Sequence, residues 1–144
     1  MPMEKNVSSL TPAALSWPMF VLLLITFLLN AGSGIGLWLA APQTPIQQGW
    51  RMFHGWTIPP FLITLGVLWR VHILRAWRLR KNILSGVLTL GVFLALIVTG
   101  WMIYYSGSDT VQKQASSWHT GLGLGISFLL LIHAILGWRA REPS

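Results

Sequence analysis

Four long apolar segments constrain the fold of this 144-residue chain more than any other feature. They run approximately over residues 17–41, 53–77, 83–105 and 118–138. Each contains at least the roughly 20 residues that a helix needs to cross a hydrocarbon core of about 30 Å. The connections are short, so consecutive helices should be antiparallel. The pattern predicts an all-α integral membrane protein, a bundle of four transmembrane helices with up-down-up-down topology.

Composition supports this class. Only 9% of the residues are charged, against about 25% in a typical soluble domain. The net charge of +7 comes from Lys and Arg at segment ends and in connections, so no continuous basic face suggests nucleic acid. The absence of Cys excludes disulfides, thiolate-bound iron–sulfur clusters and c-type haem attachment. Residues 1–16 are polar and predicted to form an N-terminal tail, and residues 17–144 the four-helix transmembrane domain.

Lys and Arg are distributed unequally between the two predicted membrane faces. One face holds Lys5, Arg70, Arg75, Arg78, Arg80, Lys81, Arg139 and Arg141, and the other holds Arg51 and Lys113. By the positive-inside rule, both termini and the second connection should be cytoplasmic. The expected location is a bacterial inner membrane, with the other face in the periplasm.

The chain has four histidines, and they form two pairs, one on each of the second and fourth segments. His54 and His72 lie 18 positions apart, and His119 and His133 lie 14 apart. These spacings correspond to about five turns and to within roughly 40° of four turns, so each pair points along one helix face. The two histidines would lie roughly 27 Å apart along the second helix and roughly 21 Å apart along the fourth.

The two histidine-bearing helices run parallel in the predicted topology. His54 and His119 would then share the periplasmic level, and His72 and His133 the cytoplasmic level. Neutral imidazole suits both ferrous and ferric iron, so each same-level pair could supply the two axial ligands of a haem b. A single histidine in a membrane is often only a hydrogen-bonding residue, but two matched pairs favour two bis-histidine haems.

Several other residues fit the haem interpretation without requiring it. Arg51, Arg70 and Arg75 flank the histidines and could bind haem propionates, although Arg75 could equally set topology. The glycines near the predicted ligands could make room for a porphyrin or allow close helix packing; they are Gly32, Gly34, Gly36, Gly121, Gly123 and Gly125. The aromatic residues that end the third segment fit either a quinone site with Asp109 or an interfacial belt; they are Trp101, Tyr104 and Tyr105.

Two prolines interrupt the second segment shortly after its first histidine. Pro59 and Pro60 each remove a backbone donor. The helix is therefore expected either to kink there or to begin there. In the second case Thr44 and Pro45 would start a short interfacial helix that carries His54.

The histidine-bearing segments resemble the small two-haem b-type cytochrome membrane subunits, such as the gamma subunits of formate dehydrogenases and membrane-bound nickel–iron hydrogenases. The resemblance covers about residues 50–138 and rests on WRMFHGW, WRVHILRAW, SGVLTLGVFLALIVTGWMIYY and SSWHTGLGLGISFLLLIHAILG. Those larger subunits place one ligand on the first helix, which here lacks histidine.

The resemblance implies bis-histidine haem b, an inner-membrane location, exchange with the quinone pool and a periplasmic partner protein. The chain is thus expected to be an electron-transfer subunit of a quinone-linked oxidoreductase complex. Its partner would be a c-type cytochrome or an oxidoreductase subunit. The alternative is a haem-free membrane anchor or assembly subunit. A transporter is less favoured, because the predicted spans contain no Asp or Glu.

Overall fold

Helices make up nearly all of the computed structural model, which describes residues 15–80 and 83–139. They are α1 (Trp17–Leu39), α2 (Pro45–Leu68), a π-helical turn (Trp69–Ile73), α3 (Leu74–Leu79), α4 (Ile83–Tyr105) and α5 (Asp109–Arg139). The continuous stretch from α2 to α3 forms one span, so four spans are long and apolar enough to cross a membrane. The predicted fold class is confirmed. Residues 1–14 of the predicted tail, together with Lys81 and Arg141, lie outside the described residues.

The second span begins at Pro45, well before the predicted start near residue 53. The Thr44 hydroxyl accepts a hydrogen bond from the Gln47 amide at 3.2 Å, which caps the helix, and proline is well tolerated in the first turn. Thr44 and Pro45 therefore begin the second span itself.

The helix that starts there is not a short interfacial one, because α2 continues without a break through Pro59 and Pro60 to Leu68. The alternative in which the second helix begins at the prolines is wrong. Threonine hydroxyls next to the prolines donate to helix carbonyls, Thr57 to His54 at 2.8 Å and Thr64 to Pro60 at 2.9 Å. The carbonyls that lose their amide donors at the prolines are different ones, those of Gly55 and Trp56, four residues earlier in the helix.

The fourth span also begins earlier than predicted, at Asp109 rather than near residue 118. A carboxylate in the first turn is favourable because it faces the positive end of the helix dipole. The polar residues 109–117 thus extend the helix beyond its apolar part.

The four spans pack as two antiparallel hairpins. Helix α1 lies along α2 and α4 lies along α5, whereas close contacts between the hairpins are few and mainly join α1 to α5. We call the end with the connections 40–44 and 106–108 the turn end. The opposite end, where α1 begins and α5 finishes, is the terminal end.

The buried apolar core lies at mid-height of the bundle. It consists of Phe61 from α2, Phe93 from α4 and Ile126 from α5, with Phe27 of α1 packed against it. The Phe61 and Phe93 ring centroids are 5.2 Å apart. Ile126 lies midway in sequence between the two histidines of α5. The tightest packing between the hairpins therefore separates the two histidine levels.

Candidate functional site

The structure brings the four histidines together as two pairs, each joining the two hairpins. At the turn end the ring centroids of His54 and His119 are 6.3 Å apart, with an angle of 85° between the ring planes. At the terminal end the centroids of His72 and His133 are 6.0 Å apart, with an angle of 87°. Both pairs have the partners expected from the sequence spacing.

These separations fit a metal held between two imidazoles. A histidine nitrogen binds a metal at about 2.0–2.1 Å, and the ring centre lies about 1.1 Å beyond the nitrogen. Two rings on opposite sides of one metal thus have centroids roughly 6.3 Å apart. Both observed separations lie close to this value.

His54 is held by the neighbouring helix α1. Its Nδ1 lies 3.0 Å from the Ser33 Oγ and 3.1 Å from the Asn30 carbonyl oxygen. The Ser33 hydroxyl donates its own proton to the Asn30 carbonyl at 2.8 Å, so its oxygen accepts from His54. Nδ1 must therefore carry the hydrogen. Nε2 then has the free lone pair that a metal requires.

His119 has the same arrangement against α4. Its Nδ1 lies 3.0 Å from the Thr99 Oγ1, and the Thr99 hydroxyl donates to the Ala95 carbonyl at 2.7 Å. Because that proton is already used, Thr99 accepts from Nδ1, and the lone pair of Nε2 of His119 stays available for a metal. At the other level the Nδ1 of His133 also lies 3.0 Å from a hydroxyl oxygen, that of Ser85.

Each of these three rings also lies against a glycine that directly follows the hydroxyl residue. A Cβ on Gly34 would lie 3.3 Å from the His54 Cε1, a Cβ on Gly100 would lie 3.3 Å from the His119 Cε1, and a Cβ on Gly86 would lie 3.6 Å from the His133 Cε1. We call each Ser-Gly or Thr-Gly pair a seat. The seats are Ser33-Gly34, Ser85-Gly86 and Thr99-Gly100.

His72 differs from the other three because it lies in the π-helical turn Trp69–Ile73. Such turns are rare and occur frequently at functional sites. The turn inserts an extra residue into the helix, which changes both the direction and the height of the following side chains. His72 is thus presented from an altered helical turn, whereas His54 lies in the regular part of the second span.

The predicted propionate partners lie on the surface near the histidines. Arg51, Arg70 and Arg75 are all exposed, and Arg51 lines a shallow depression with Gly55, Trp56 and Tyr104 at the turn end. No described contact joins Arg51 to a histidine. Their role toward a haem stays a prediction.

The remaining residues singled out in the sequence have mixed surroundings. Trp101, Tyr104 and Tyr105 are exposed, as is Asp109, so a quinone site there stays a prediction. Among the glycines, Gly36 lies under the Trp50 indole, and Gly123 lies near Leu96; Gly32, Gly121 and Gly125 border open space.

The histidines occur in twos, without further metal ligands beside them. Within the described ranges 15–80 and 83–139, no three His, Asp or Glu side chains form a cluster. Each pair can therefore offer two nitrogen ligands from the described protein. This donor set matches the two axial positions of an iron whose other four ligands belong to a porphyrin.

A comparison with protein families, curated proteins and solved structures finds no significant match to the chain.

The seat hydroxyls are the residues that the sequence reasoning missed. A signal for two of them was present, because Ser85 and Thr99 are separated by the same 14 positions as His119 and His133. In an antiparallel helix pair, equal spacings on the two helices bring both sets of residues together.

Proposed function

We propose that this chain is a membrane-embedded b-type cytochrome that holds two haems and conducts electrons across the membrane. His54 and His119 would hold one haem, and His72 and His133 the other. The observation that carries the proposal is the pair of inter-ring separations, 6.3 and 6.0 Å, each of which matches the spacing of two axial imidazoles.

The donor chemistry favours haem over a bare metal ion. Bare Zn²⁺ prefers four protein ligands in a structural site and three in a catalytic one. A histidine pair alone would leave such an ion mostly uncoordinated. Haem brings four nitrogens and the redox-active iron, and the polypeptide supplies axial ligands, spacing and burial. Hydrogen-bonded Nδ1 atoms are also typical of metal-ligating histidines.

The expected electron path runs along the bundle axis. By charge distribution the terminal end would face the cytoplasm and the turn end the periplasm of a bacterial inner membrane. The haems would exchange electrons with a quinone in the membrane and with a periplasmic redox protein, a c-type cytochrome or an oxidoreductase subunit. The chain would be the electron-transfer subunit of that complex.

A haem count tests the function directly. The full chain, purified in detergent from cells supplied with haem, should contain two haems b per polypeptide by the pyridine haemochrome assay. His119→Ala and His133→Ala should each leave one haem, and the double variant none. Phe128→Ala is the matched control on α5, because Phe128 is 71% exposed on the lipid-facing surface; it should retain two.

The alternative is a haem-free membrane anchor or assembly subunit. Two aromatic rings that pack edge to face also have centroids about 4.5–7 Å apart, so an anchor could contain the same pairs without metal. A colourless native protein would favour the anchor and overturn the cytochrome proposal. Unchanged haem content in both single variants would overturn the assigned ligands.

A further inference from the structure

We propose, on the basis of the haem-binding function proposed above, that Ser33 and Thr99 are positioning residues for the turn-end pair. Each hydroxyl fixes its imidazole in the Nδ1–H form and sets the rotation of the ring. Together they hold the two ring planes nearly perpendicular.

The rotation of each imidazole ring about its second side-chain torsion must be fixed by contacts outside its own backbone. The second side-chain torsion of histidine has a broad, roughly two-fold preference, so a helix backbone alone does not define the ring plane. Yet the two ring planes differ by 85° at the turn end and by 87° at the terminal end. Contacts with neighbouring residues must therefore fix the nearly perpendicular orientation of the two rings at each level.

At the turn end, the seats provide that contact on two sides of both rings. The hydroxyl oxygen at 3.0 Å fixes where Nδ1 points. The ring also packs closely on the glycine backbone on its Cε1 side. A Cβ at Gly34 or at Gly100 would lie only 3.3 Å from the ring Cε1, so the ring can take this position only because the residue has no side chain. A ring held at Nδ1 and Cε1 has little freedom to rotate.

The hydroxyl protons make the hydrogen-bond direction unambiguous. Ser33 and Thr99 donate to carbonyls of their own helices at 2.8 and 2.7 Å, so both oxygens accept from imidazole. A ligand that donates from Nδ1 becomes more basic at Nε2. A more basic ligand stabilises ferric iron over ferrous iron and lowers the midpoint potential.

The test uses the full chain with both haems and compares isosteric changes on α4. Thr99→Val removes the hydroxyl with little change of shape, and Thr99→Ser keeps it. Thr89→Val is the matched control, because Thr89 is also buried on α4 but its hydroxyl donates to the Ser85 carbonyl. Ser33→Ala is a second variant that acts on the same haem from another helix.

The readouts are haem content, the electron paramagnetic resonance (EPR) spectrum of the ferric protein, and a redox titration. In low-spin ferric haem, g anisotropy depends on the angle between the axial ring planes. Thr99→Val should change the signal of one haem, raise one midpoint potential, and weaken haem binding roughly 10- to 100-fold. Ser33→Ala should affect the same haem. Thr99→Ser and Thr89→Val should behave as the native chain.

The outcomes separate this inference from the proposed function. A native chain without haem overturns the function, and the inference with it. A native chain with two haems whose signals and potentials stay unchanged in Thr99→Val and Ser33→Ala overturns the inference alone. Failure of Thr99→Ser to behave as the native chain also overturns it, because the hydroxyl would then not be the decisive group.

Discussion

Gly100→Ala should weaken haem binding at the turn end and leave the terminal end unchanged. Gly100 lies directly under the His119 ring, and an added Cβ would approach Cε1 to 3.3 Å and Nδ1 to 3.6 Å. Favourable contacts between carbon atoms are about 3.5–4.0 Å. The ring must therefore move away from α4 by a few tenths of an ångström, which also lengthens its hydrogen bond to Thr99.

The expected cost follows from the size of this displacement. Inserting atoms into a filled site typically costs about 1–3 kcal/mol, and a shift of tenths of an ångström belongs at the lower end of that range. A cost of about 1–1.5 kcal/mol corresponds to roughly five- to twelvefold weaker haem binding. Gly86→Ala is the graded comparison at the other level, because its Cβ would lie 3.6 Å from His133 Cε1, an ordinary contact.

The assay is haem transfer from the haem-loaded chain to apomyoglobin, followed by visible absorbance. In a His133→Ala background only the turn-end haem remains, so the effect of Gly100→Ala is read on that haem alone. A His119→Ala background isolates the terminal-end haem for Gly86→Ala. Gly91→Ala is the control, since a Cβ there meets no atom within 4 Å. Equal affinities in Gly100→Ala and Gly91→Ala would refute the contact argument, as would a larger loss in Gly86→Ala.

Two further changes test the packing between and within the hairpins. Phe93→Ala empties the mid-height core, where Phe93 is only 5% exposed, and should lower the free energy of unfolding by about 3–5 kcal/mol. Thermal denaturation in detergent measures this, with the lipid-facing Phe128→Ala unchanged; an equal melting temperature for both variants contradicts the assigned core. Gly36→Ala would bring a Cβ within 2.6–2.9 Å of the indole packed on it, so it should lower the melting temperature. Gly32→Ala meets no atom within 4 Å, and a matching loss there would contradict the steric cause.

Hydropathy predicted the spans well where helix ends coincide with the change from apolar to polar residues. Both ends of α4 and the start of α1 are of this kind. It failed at the starts of α2 and α5, because their first turns are polar. There the helix start depends on local chemistry, the Thr44 cap with Pro45 and the Asp109 carboxylate in the first turn.

The pairing of the histidines could be predicted from the sequence, but the hydroxyl and glycine residues that hold their rings could be predicted only in part. Periodicity and antiparallel topology are enough to bring two same-level rings together. Ser85 and Thr99 are separated by the same 14 positions as His119 and His133, so the sequence contained a signal for these two seats. Ser33 has no second hydroxyl residue 14 positions away on α1, so the sequence contained no such signal for it. The π-helical turn around His72 was not predicted, since apolar periodicity does not distinguish a π-helical turn from the α-helix that surrounds it.

The division into hairpins places every histidine pair between two separately packed units. Each hairpin is closely packed within itself, while the hairpins touch mainly at mid-height and between α1 and α5. Every histidine pair takes one ring from each hairpin, above or below that core. A haem bound by both rings would therefore join the hairpins on either side of the mid-height core. Since a ligand that binds only the assembled state stabilises it by mass action, haem binding and assembly of the two hairpins should be coupled.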